Sequence, residues 1–397
     1  MATKISTALV IGGGVAGPVT AMALQQAGIE ATVYEAYEGT AVGVGAALGL
    51  APNGLAALDA IGVGDLVRQL GDPTTAIVLQ SWNGKRLAEI GSPGSLEPTR
   101  LVMRSDLYRA LYDEARRRGI RIEHGKRLTG VEEGEGTVTA EFADGTTATG
   151  ELLVGADGIR STVRTLIDPA APQPRYAGLQ GFGAVSTEAG LVPDTGGKMV
   201  MTFGKHAFFG LQVIGGNAVW FVNLPYPEPL TLSEAVSRGA ERWLRVLAEA
   251  CADDRSPAPG LIRRTDPAEL LITGPMEIMP RVPHWSRGRL VLTGDAAHAP
   301  SSSSGQGASL AIESSVELAR CLRDLPLPRA LDRYEELRRP RVEQIIKQAE
   351  RANSNKAAGP VGRVLRDALM PLGMKLMSQE KLSRPLHHRI DWAEPAA

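Results

Sequence analysis

The sequence predicts an α/β fold in which a parallel sheet with flanking helices is interrupted by an antiparallel β-sheet domain and followed by C-terminal helices. Three observations support this prediction. Near the N-terminus, an apolar strand runs into a glycine-rich turn, a helix and a second strand, which is the order of a βαβ unit. The middle of the chain holds several strands separated by Gly-rich turns. The last third has the apolar periodicity of helices.

The composition is that of a large globular protein without a polyelectrolyte partner. The 397 residues are 43% apolar and 22% charged, with a formal net charge of −1. This length supports two or more domains, and the balanced charge gives no reason to expect nucleic acid. Cys251 and Cys321 form no CxxC pair, so neither a disulfide framework nor a zinc site is indicated. No apolar run approaches the about 18 residues that span a bilayer. We expect a cytoplasmic protein with no metal and no membrane partner, whose oligomeric state is open.

The first motif is a glycine-rich turn in a strand–turn–helix context. Residues 8–11 form an apolar strand, Gly12-Gly13-Gly14-Val15-Ala16-Gly17 follows, and residues 31–34 form a second strand. This is the Gly-x-Gly-x-x-Gly pattern of a Rossmann-like dinucleotide-binding unit. Gly12 allows the tight turn, Gly14 lets a pyrophosphate approach the backbone, and Gly17 lets helix and strand pack closely.

The second strand ends at Glu35, which indicates the kind of dinucleotide. A carboxylate at this place accepts hydrogen bonds from a ribose diol and repels a phosphate on the 2′-hydroxyl. The motif therefore predicts FAD or NAD, not NADP, as the bound dinucleotide. Ala16 and Ala36 are expected to lie beside these contacts.

Residues 43–54 form a loop of small residues before another helix. This density of glycine and alanine predicts close approach to a flat or bulky ligand, and a flexible connection is the alternative. Gly45 is expected at the cofactor and Leu48 at the substrate. Further on, residues 75–81 and 86–90 flank Asn83-Gly84, which predicts a β-hairpin that belongs to a second domain.

The second motif follows a buried strand at residues 152–154. It reads Gly155-Ala156-Asp157-Gly158-Ile159-Arg160-Ser161, with Arg164 close behind. A carboxylate on a glycine-flanked turn, followed by two arginines, is unusual for a plain loop. Earlier in the chain, Arg104 precedes a helix and could reach a cofactor phosphate, with a solvated arginine as the alternative.

The third motif begins with a strand at residues 290–292 and a sharp turn at Gly294-Asp295. A polar loop follows, then Gly305-Gln306-Gly307 and a helix. This arrangement places one carboxylate and several free N–H groups together. A polyol and an anionic ring or phosphate can be held at such a helix N-terminus.

Together, the three motifs resemble the fingerprints of group A flavoprotein monooxygenases, the para-hydroxybenzoate hydroxylase-like family, over nearly the whole chain. The resemblance implies a GR2-type FAD-binding domain in which Glu35 binds the adenosine ribose, Asp157 supports the pyrophosphate region and Asp295 binds the ribityl chain. His298, beside the ribityl site, is expected to be structural. The chain departs from the family pattern in an early Pro300 and in the run Ser301 to Ser304. The expected cofactor-binding residues are Gly12, Gly14, Ala16, Gly17, Glu35, Ala36, Gly45, Arg104, Asp157, Gly158, Asp295, Pro300, Gly305, Gln306, Gly307 and Ala308.

The middle block predicts strands at residues 181–187, 198–203, 207–214 and 218–224 and a connecting helix at 232–250. One face of this sheet must pack on the helix. By resemblance, the other face covers the flavin and lines the substrate pocket, and the sequence does not decide which face is which. For each large apolar residue, core packing is the alternative to substrate contact. The candidates for the substrate pocket are Leu48, Met201, Phe203, Phe209, Leu211 and Trp220.

The resemblance also implies domains and an activity. Residues 1–70, 101–175 and 281–360 would form the FAD-binding domain, 71–100 and 176–280 the substrate-binding β-sheet domain, and 361–397 a C-terminal helical segment. The expected enzyme uses FAD, NADPH or NADH, and O₂. It inserts one oxygen atom, through a flavin C4a-hydroperoxide, into an apolar or aromatic small molecule of secondary metabolism, by hydroxylation or epoxidation. No catalytic residue is assigned. The alternatives are a flavin-dependent reductase or cyclase of the prenyl-lipid type and a non-enzymatic binding protein on the same scaffold.

Overall fold

The computed structural model describes residues 4–39, 47–92, 94–187, 190, 192–356, 359–376 and 383–396. The strands in chain order are β1 (Thr7–Ile11), β2 (Glu30–Tyr34), β3 (Ala47–Leu50), β4 (Asp72–Thr74), β5 (Ala76–Ser81), β6 (Arg86–Gly91), β7 (Thr99–Met103), β8 (Arg121–Glu123), β9 (Leu128–Glu133), β10 (Val138–Phe142), β11 (Thr147–Gly150), β12 (Leu152–Gly155), β13 (Arg175–Ser186), β14 (Lys198–Phe203), β15 (Phe208–Ile214), β16 (Asn217–Pro225), β17 (Leu271–Ile278), β18 (Ser286–Arg287) and β19 (Leu290–Leu292).

The α-helices in chain order are α1 (Ala16–Gln26), α2 (Pro52–Asp59), α3 (Gly64–Arg68), α4 (Arg104–Arg117), α5 (Thr162–Ile167), α6 (Leu232–Ser237), α7 (Ala240–Ala250), α8 (Ala258–Arg264), α9 (Asp295–His298), α10 (Gly307–Asp324), α11 (Leu327–Lys356) and α12 (Pro360–Leu376).

The first sheet has the order β18-β19-β12-β1-β2-β8. The strands from β19 to β8 are parallel, and β18 pairs antiparallel with β19. The central strand β1 is almost wholly buried, as its apolar run requires of a strand covered on both faces. Helix α10 packs against α1 on one side of this sheet. The predicted α/β fold is confirmed.

The second sheet has the order β17-β13-β16-β15-β14-β5-β6. All of its strand pairs are antiparallel except β14 with β5, which are parallel. The exception arises because β5 and β6 come from an earlier part of the chain, so no short turn forces the antiparallel direction on that pair. The predicted hairpin thus joins this sheet. On this basis, we propose to keep residues 71–100 and 176–280 together as one domain.

The connecting segment predicted at 232–250 is two helices, because the chain breaks at Gly239, which has φ of 83°. Helix α7 then packs on one face of the second sheet, where the rings of Phe182 and Trp243 are 4.7 Å apart. Phe209, Leu211 and Trp220 lie in the same buried cluster, each at most 3% exposed. This corrects the expectation that these three residues line the substrate pocket: they form the core under α7.

The other face of the second sheet carries Met201, Phe203, Phe208 and Phe221. The strand register places them together, because Met201 pairs with Gly210, Phe203 with Phe208, and Phe221 with Gly210. This face contacts the end of α11 and helix α12, which follow the third motif in the chain. None of the helices within the described residues has the length and apolar character needed to cross a membrane.

Candidate active site

The three motifs meet at one edge of the first sheet. Strands β1, β12 and β19 are neighbours and parallel, so their carboxyl ends lie side by side. Gly12 follows β1, Asp157 follows β12 by two residues, and Gly294-Asp295 follows β19. The edge beyond the carboxyl ends of parallel strands is where open α/β sheets bind their ligands.

The glycine turn after β1 has a tight side and an open side. A Cβ added to Gly17 would lie 1.9 Å from the carbonyl oxygen of Gly12, and one added to Gly12 would lie 2.5 Å from the carbonyl oxygen of Ala156. A Cβ on Gly14 would meet no protein atom within 4 Å. The backbone therefore requires glycine at Gly12 and Gly17, while Gly14 leaves free space in front of the N-terminus of α1. That is the shape an approaching pyrophosphate needs.

Glu35 lies at the end of β2 and is 8% exposed. Its carboxylate accepts hydrogen bonds from the backbone N–H groups of Gly13, at 2.6 Å, and Tyr37, at 3.0 Å. These bonds hold the carboxylate against the glycine turn. A carboxylate has further lone pairs, so Glu35 retains the capacity to accept from a diol. Ala36 follows and is partly exposed.

Asp157 stabilises its own loop. Its carboxylate accepts from the hydroxyl of Ser161 at 2.5 Å and from the backbone N–H of Val163 at 3.1 Å, at the start of α5. Burial raises the pKa of this carboxyl group, and the hydrogen bonds from Ser161 and Val163 oppose the rise. Gly158 forms the turn beside it, with φ of 79°. Both carboxylate oxygens of Asp157 therefore have protein partners, which favours a positioning role over direct contact with a ligand.

Arg164 connects the second motif to the third. Its side chain is 1% exposed, and its guanidinium donates to the carbonyl oxygens of Ala296, at 3.0 Å, and Ile159, at 2.8 Å. The sequence showed that an arginine follows the Asp-Gly turn, but it did not predict what this arginine binds. Ala296 lies more than a hundred residues away, and no local sequence pattern links the two residues.

Asp295 is the first residue of α9 and its side chain faces the open cleft. A Cβ on Gly294 would lie 3.1 Å from the Cβ of Ala16 and 3.2 Å from that of Ala311, so the turn is pressed between α1 and α10. The residue is exposed at this edge of the sheet, and desolvation of its carboxyl group by the surrounding protein raises the pKa of Asp295. The positive charge of Arg104 opposes this rise. Arg104 is exposed at the start of α4, so the structure brings these two predicted residues near each other.

The loop after α9 leads to the N-terminus of α10. Pro300 is buried, and a Cβ on Gly307 would lie 3.9 Å from its ring. Gly305 turns the chain with φ of 60°, and the hydroxyl of Ser304 accepts from the N–H of Gln306 at 3.0 Å. Gly307 and Ala308 then start the helix, partly exposed. The free N–H groups of this first turn point out of the helix end, where they can bind an anionic or polar group.

A buried polar network that the sequence did not predict supports this loop. The side-chain amide of Asn53 donates to the side-chain oxygen of Gln306 at 2.9 Å and to the carboxylate of Glu313 at 2.6 Å. Glu313 is fully buried and forms ion pairs with Arg338 and Arg341, both at 2.7 Å. Burial would raise the pKa of Glu313, but the two guanidinium groups lower it to about 2. The network ties α2, α10 and α11 together beneath the loop.

His298 is 2% exposed and packs on Trp285. Its Nε2 lies 2.8 Å from the hydroxyl oxygen of Ser314, and burial lowers the pKa of the imidazole to about 3. The ring is therefore neutral at physiological pH and belongs to the packing beneath the site.

The remaining predicted residues fall in different places. Leu48 lies in β3, partly exposed, and Met201 and Phe203 lie on the face of the second sheet that meets α11 and α12. Gly45 lies outside the described residues. The three motifs thus form a polar site at the edge of the first sheet, and Met201 and Phe203 belong to an apolar cluster on the second sheet.

Loss of the Glu313 carboxylate is expected to destabilise the protein strongly. Glu313→Gln should lower the free energy of unfolding by about 3–5 kcal/mol, the range for removing one partner of a buried ion pair. The reason is that Arg338, at 1% exposure, would keep its charge without a counter-ion. Urea unfolding of both proteins measures the difference. Glu336→Gln is the matched control. Glu336 pairs with Arg333 on α11, the helix that also carries Arg338, and this pair is more exposed than the Glu313–Arg338 pair.

The destabilisation is expected to depend on pH. Because folding lowers the pKa of Glu313 from 4.5 to about 2, its stabilising effect is fully present above pH 4.5 and is lost as the pH falls towards 2. The difference between wild type and Glu313→Gln should therefore stay constant above about pH 4.5 and shrink as the pH falls from there towards about 2. A difference that also stays constant below pH 4.5, or that is no larger than for Glu336→Gln, would contradict the ion-pair network.

Comparisons with known proteins agree with this architecture. A family model described as the FAD binding domain matches residues 5–215 and 279–349. The FAD-dependent urate hydroxylase of Klebsiella pneumoniae is 32% identical over 358 residues, which cover 87% of this chain and 88% of that protein. The 3-amino-4-hydroxybenzoate 2-monooxygenase of Streptomyces cremeus is 31% identical over 360 residues, covering 86% of this chain and 85% of that protein.

Among solved structures, Klebsiella pneumoniae HpxO complexed with FAD and uric acid superposes with a TM-score of 0.82. The two are 26% identical, and the match covers 96% of this chain and 95% of that one. The likeness therefore includes both sheets and the helices that connect them.

Proposed function

The chain belongs to the FAD binding domain family, as a group A FAD-dependent monooxygenase, and from this premise we propose that its three motifs hold FAD and that it hydroxylates an aromatic or heteroaromatic small molecule beside the second sheet. The enzyme uses FAD, NAD(P)H and O₂. The named relatives act on urate and on 3-amino-4-hydroxybenzoate, which supports a ring substrate of this kind. The need for NAD(P)H also leads us to infer a cytoplasmic location.

The observation that carries the cofactor proposal is the shape of the edge where the motifs meet. Space is free in front of Gly14, the Asp295 carboxylate reaches the cleft, and the first turn of α10 has free N–H groups. These groups fit the pyrophosphate, the ribityl hydroxyls and the anionic edge of a flavin ring, in that order. We assign Glu35 to the adenosine ribose. Bound FAD supplies the transfer of electrons from NAD(P)H to O₂.

The protein's own contribution is to bind, orient and exclude water. The dipole of α10 favours negative charge at its N-terminus, and the Asn53–Gln306 hydrogen bond fixes the loop that leads into it. The apolar face with Met201 and Phe203 keeps water away from the reacting atoms and offers a ring substrate a surface to pack on. None of these roles requires a protein nucleophile.

Met201 is expected to contact the substrate. Met201→Ala should raise KM for the substrate by at least about tenfold, because burying a side chain of this size against a ligand is worth about 1.5–3 kcal/mol. The flavin absorbance spectrum and the FAD content should not change. Val200→Ala is the control, since Val200 precedes Met201 on β14 but pairs with Leu211 and so points to the opposite face. A similar KM for both variants would show that Met201 does not contact the substrate.

The proposed function is tested with the FAD-loaded protein, NADH or NADPH, and a panel of hydroxylated benzoates, pyridines and purines. At least one compound should increase both NAD(P)H oxidation and oxygen uptake, and should itself be hydroxylated. If reductant is consumed and a double bond of a substrate is reduced without oxygen uptake, the reductase alternative holds instead. A protein that binds no FAD would contradict the assignment altogether.

A further inference from the structure

An aromatic cluster lies on the face of the second sheet that carries Met201. The ring centroids of Phe203 and Phe208 are 5.1 Å apart, and those of Phe208 and Phe221 are 6.0 Å apart. Leu79 and Met201 pack against the same cluster. Phe203 and Phe208 are buried in this cluster, whereas Met201 and Phe221 are partly exposed, so these two offer the surface on which we place the substrate ring.

Two cations lie over this cluster and differ in one respect. The guanidinium of Arg366 is 4.4 Å from the centroid of Phe203 and forms an ion pair with Asp367 at 2.8 Å. The amine of Lys356 is 4.1 Å from the centroid of Phe208. Within the described part of the chain, the Lys356 amine has no hydrogen bond or ion pair to any residue. Among these described residues, the Phe208 ring alone compensates the charge of the amine.

That compensation is incomplete. The face of a phenylalanine ring attracts a cation less strongly than a carboxylate does, and a cation removed from water needs a counter-charge or hydrogen bonds. Accordingly, burial lowers the pKa of the Lys356 amine to about 7. An anion that arrives beside it would favour the charged form and supply the missing partner.

We propose that Lys356 is a specificity-determining residue, whose amine binds an anionic group of the substrate while the substrate ring packs on the partly exposed side chains of the cluster, Met201 and Phe221. The inference rests on the proposed function, because it takes this face as the substrate side. The anionic group is a carboxylate on the ring or a ring that has itself lost a proton. A single ammonium group at the edge of an aromatic surface can bind either kind of anion.

The test measures ligand binding to the oxidised FAD-loaded protein, so that it does not depend on turnover. One arm compares 3-amino-4-hydroxybenzoate with its carboxamide, and the second compares urate with xanthine. Wild type should bind the anion of one pair more tightly, and the responding pair identifies which anion is recognised. In Lys356→Met, the Kd of that anion should rise by at least about tenfold, the loss expected for a hydrogen bond to a charged group. The Kd of its neutral partner should change less than twofold, and Lys356→Arg should restore the preference.

Lys205→Met is the matched control. Lys205 also lies over an aromatic ring, 4.5 Å from the centroid of Trp82, but it is paired with Asp253 at 3.0 Å. Its loss should leave both arms unchanged. The proposal is overturned if wild type shows no preference for the anion in either pair, or if Lys356→Met weakens the anion and its neutral partner equally. The test measures binding and not turnover. An enzyme that does not hydroxylate these rings would therefore contradict the proposed function but would not decide whether Lys356 binds the anion.

Discussion

Gly17→Ala is expected to prevent correct folding of the first sheet. The added Cβ would lie 1.9 Å from the carbonyl oxygen of Gly12, and no side-chain rotation can relieve a contact with the backbone. The free energy of unfolding should fall by about 3 kcal/mol or more, at or beyond the upper end of the range for overpacking. Thermal and urea unfolding of the purified protein, together with its FAD content, measure the effect. Little folded, FAD-containing protein is expected.

Gly14→Ala is the matched control for this substitution. The new methyl group would meet no protein atom within 4 Å, so the chain should fold as the wild type does. FAD binding should nevertheless weaken, because the methyl group occupies space in front of the N-terminus of α1 that we assign to the pyrophosphate. If Gly14→Ala bound FAD like wild type, that assignment would be wrong. If Gly17→Ala folded normally, the tight contact between α1 and β1 would be wrong.

Asp295→Ala is expected to lose FAD without losing the fold. The carboxylate faces the cleft at the end of β19 and is assigned to the ribityl hydroxyls. Each hydrogen bond to a charged group contributes about 1.5–3 kcal/mol, so the Kd for FAD should rise by about 10- to 150-fold. Quenching of FAD fluorescence during titration of the apoprotein measures this. Urea unfolding of the apoprotein should change little, because the side chain is not buried in the core.

Asp295→Asn separates the charge from the hydrogen bond. The amide keeps one acceptor and adds a donor, so its Kd should lie between those of wild type and Asp295→Ala. An Asp295→Ala protein that keeps wild-type affinity for FAD would exclude this carboxylate from the cofactor site.

Local signals in the sequence were sufficient for the motifs and their strands. The strands before Gly12, Asp157 and Gly294 are apolar runs that end at glycine-containing turns, and each element forms where its own residues favour it. That the three turns lie together follows from the parallel order of β19, β12 and β1. The resemblance implied that the three motifs bind one FAD, but the sequence did not give this strand order. Glu35 lies at the end of β2, as its position after an apolar strand predicted.

Other features depend on tertiary contacts that sequence spacing does not encode. Alternation along β15 separates Phe208 from Phe209, but only the packing of α7 shows that Phe209 belongs to the core. Glu313 is fully buried in α10, and its partners Asn53 and Arg338 come from two other helices. The parallel pairing of β14 with β5 likewise joins segments more than a hundred residues apart.

The origin of the oxygen atom in the product tests the proposed monooxygenase activity most directly. The FAD-loaded protein should be incubated with NAD(P)H and a ring substrate under ¹⁸O₂ in unlabelled water, and in parallel under unlabelled O₂ in H₂¹⁸O. A flavin-dependent monooxygenase should give one labelled oxygen atom per product molecule in the first experiment and none in the second. Label that enters from water, or reductant that is oxidised without an oxygenated product, would contradict a flavin-dependent monooxygenase.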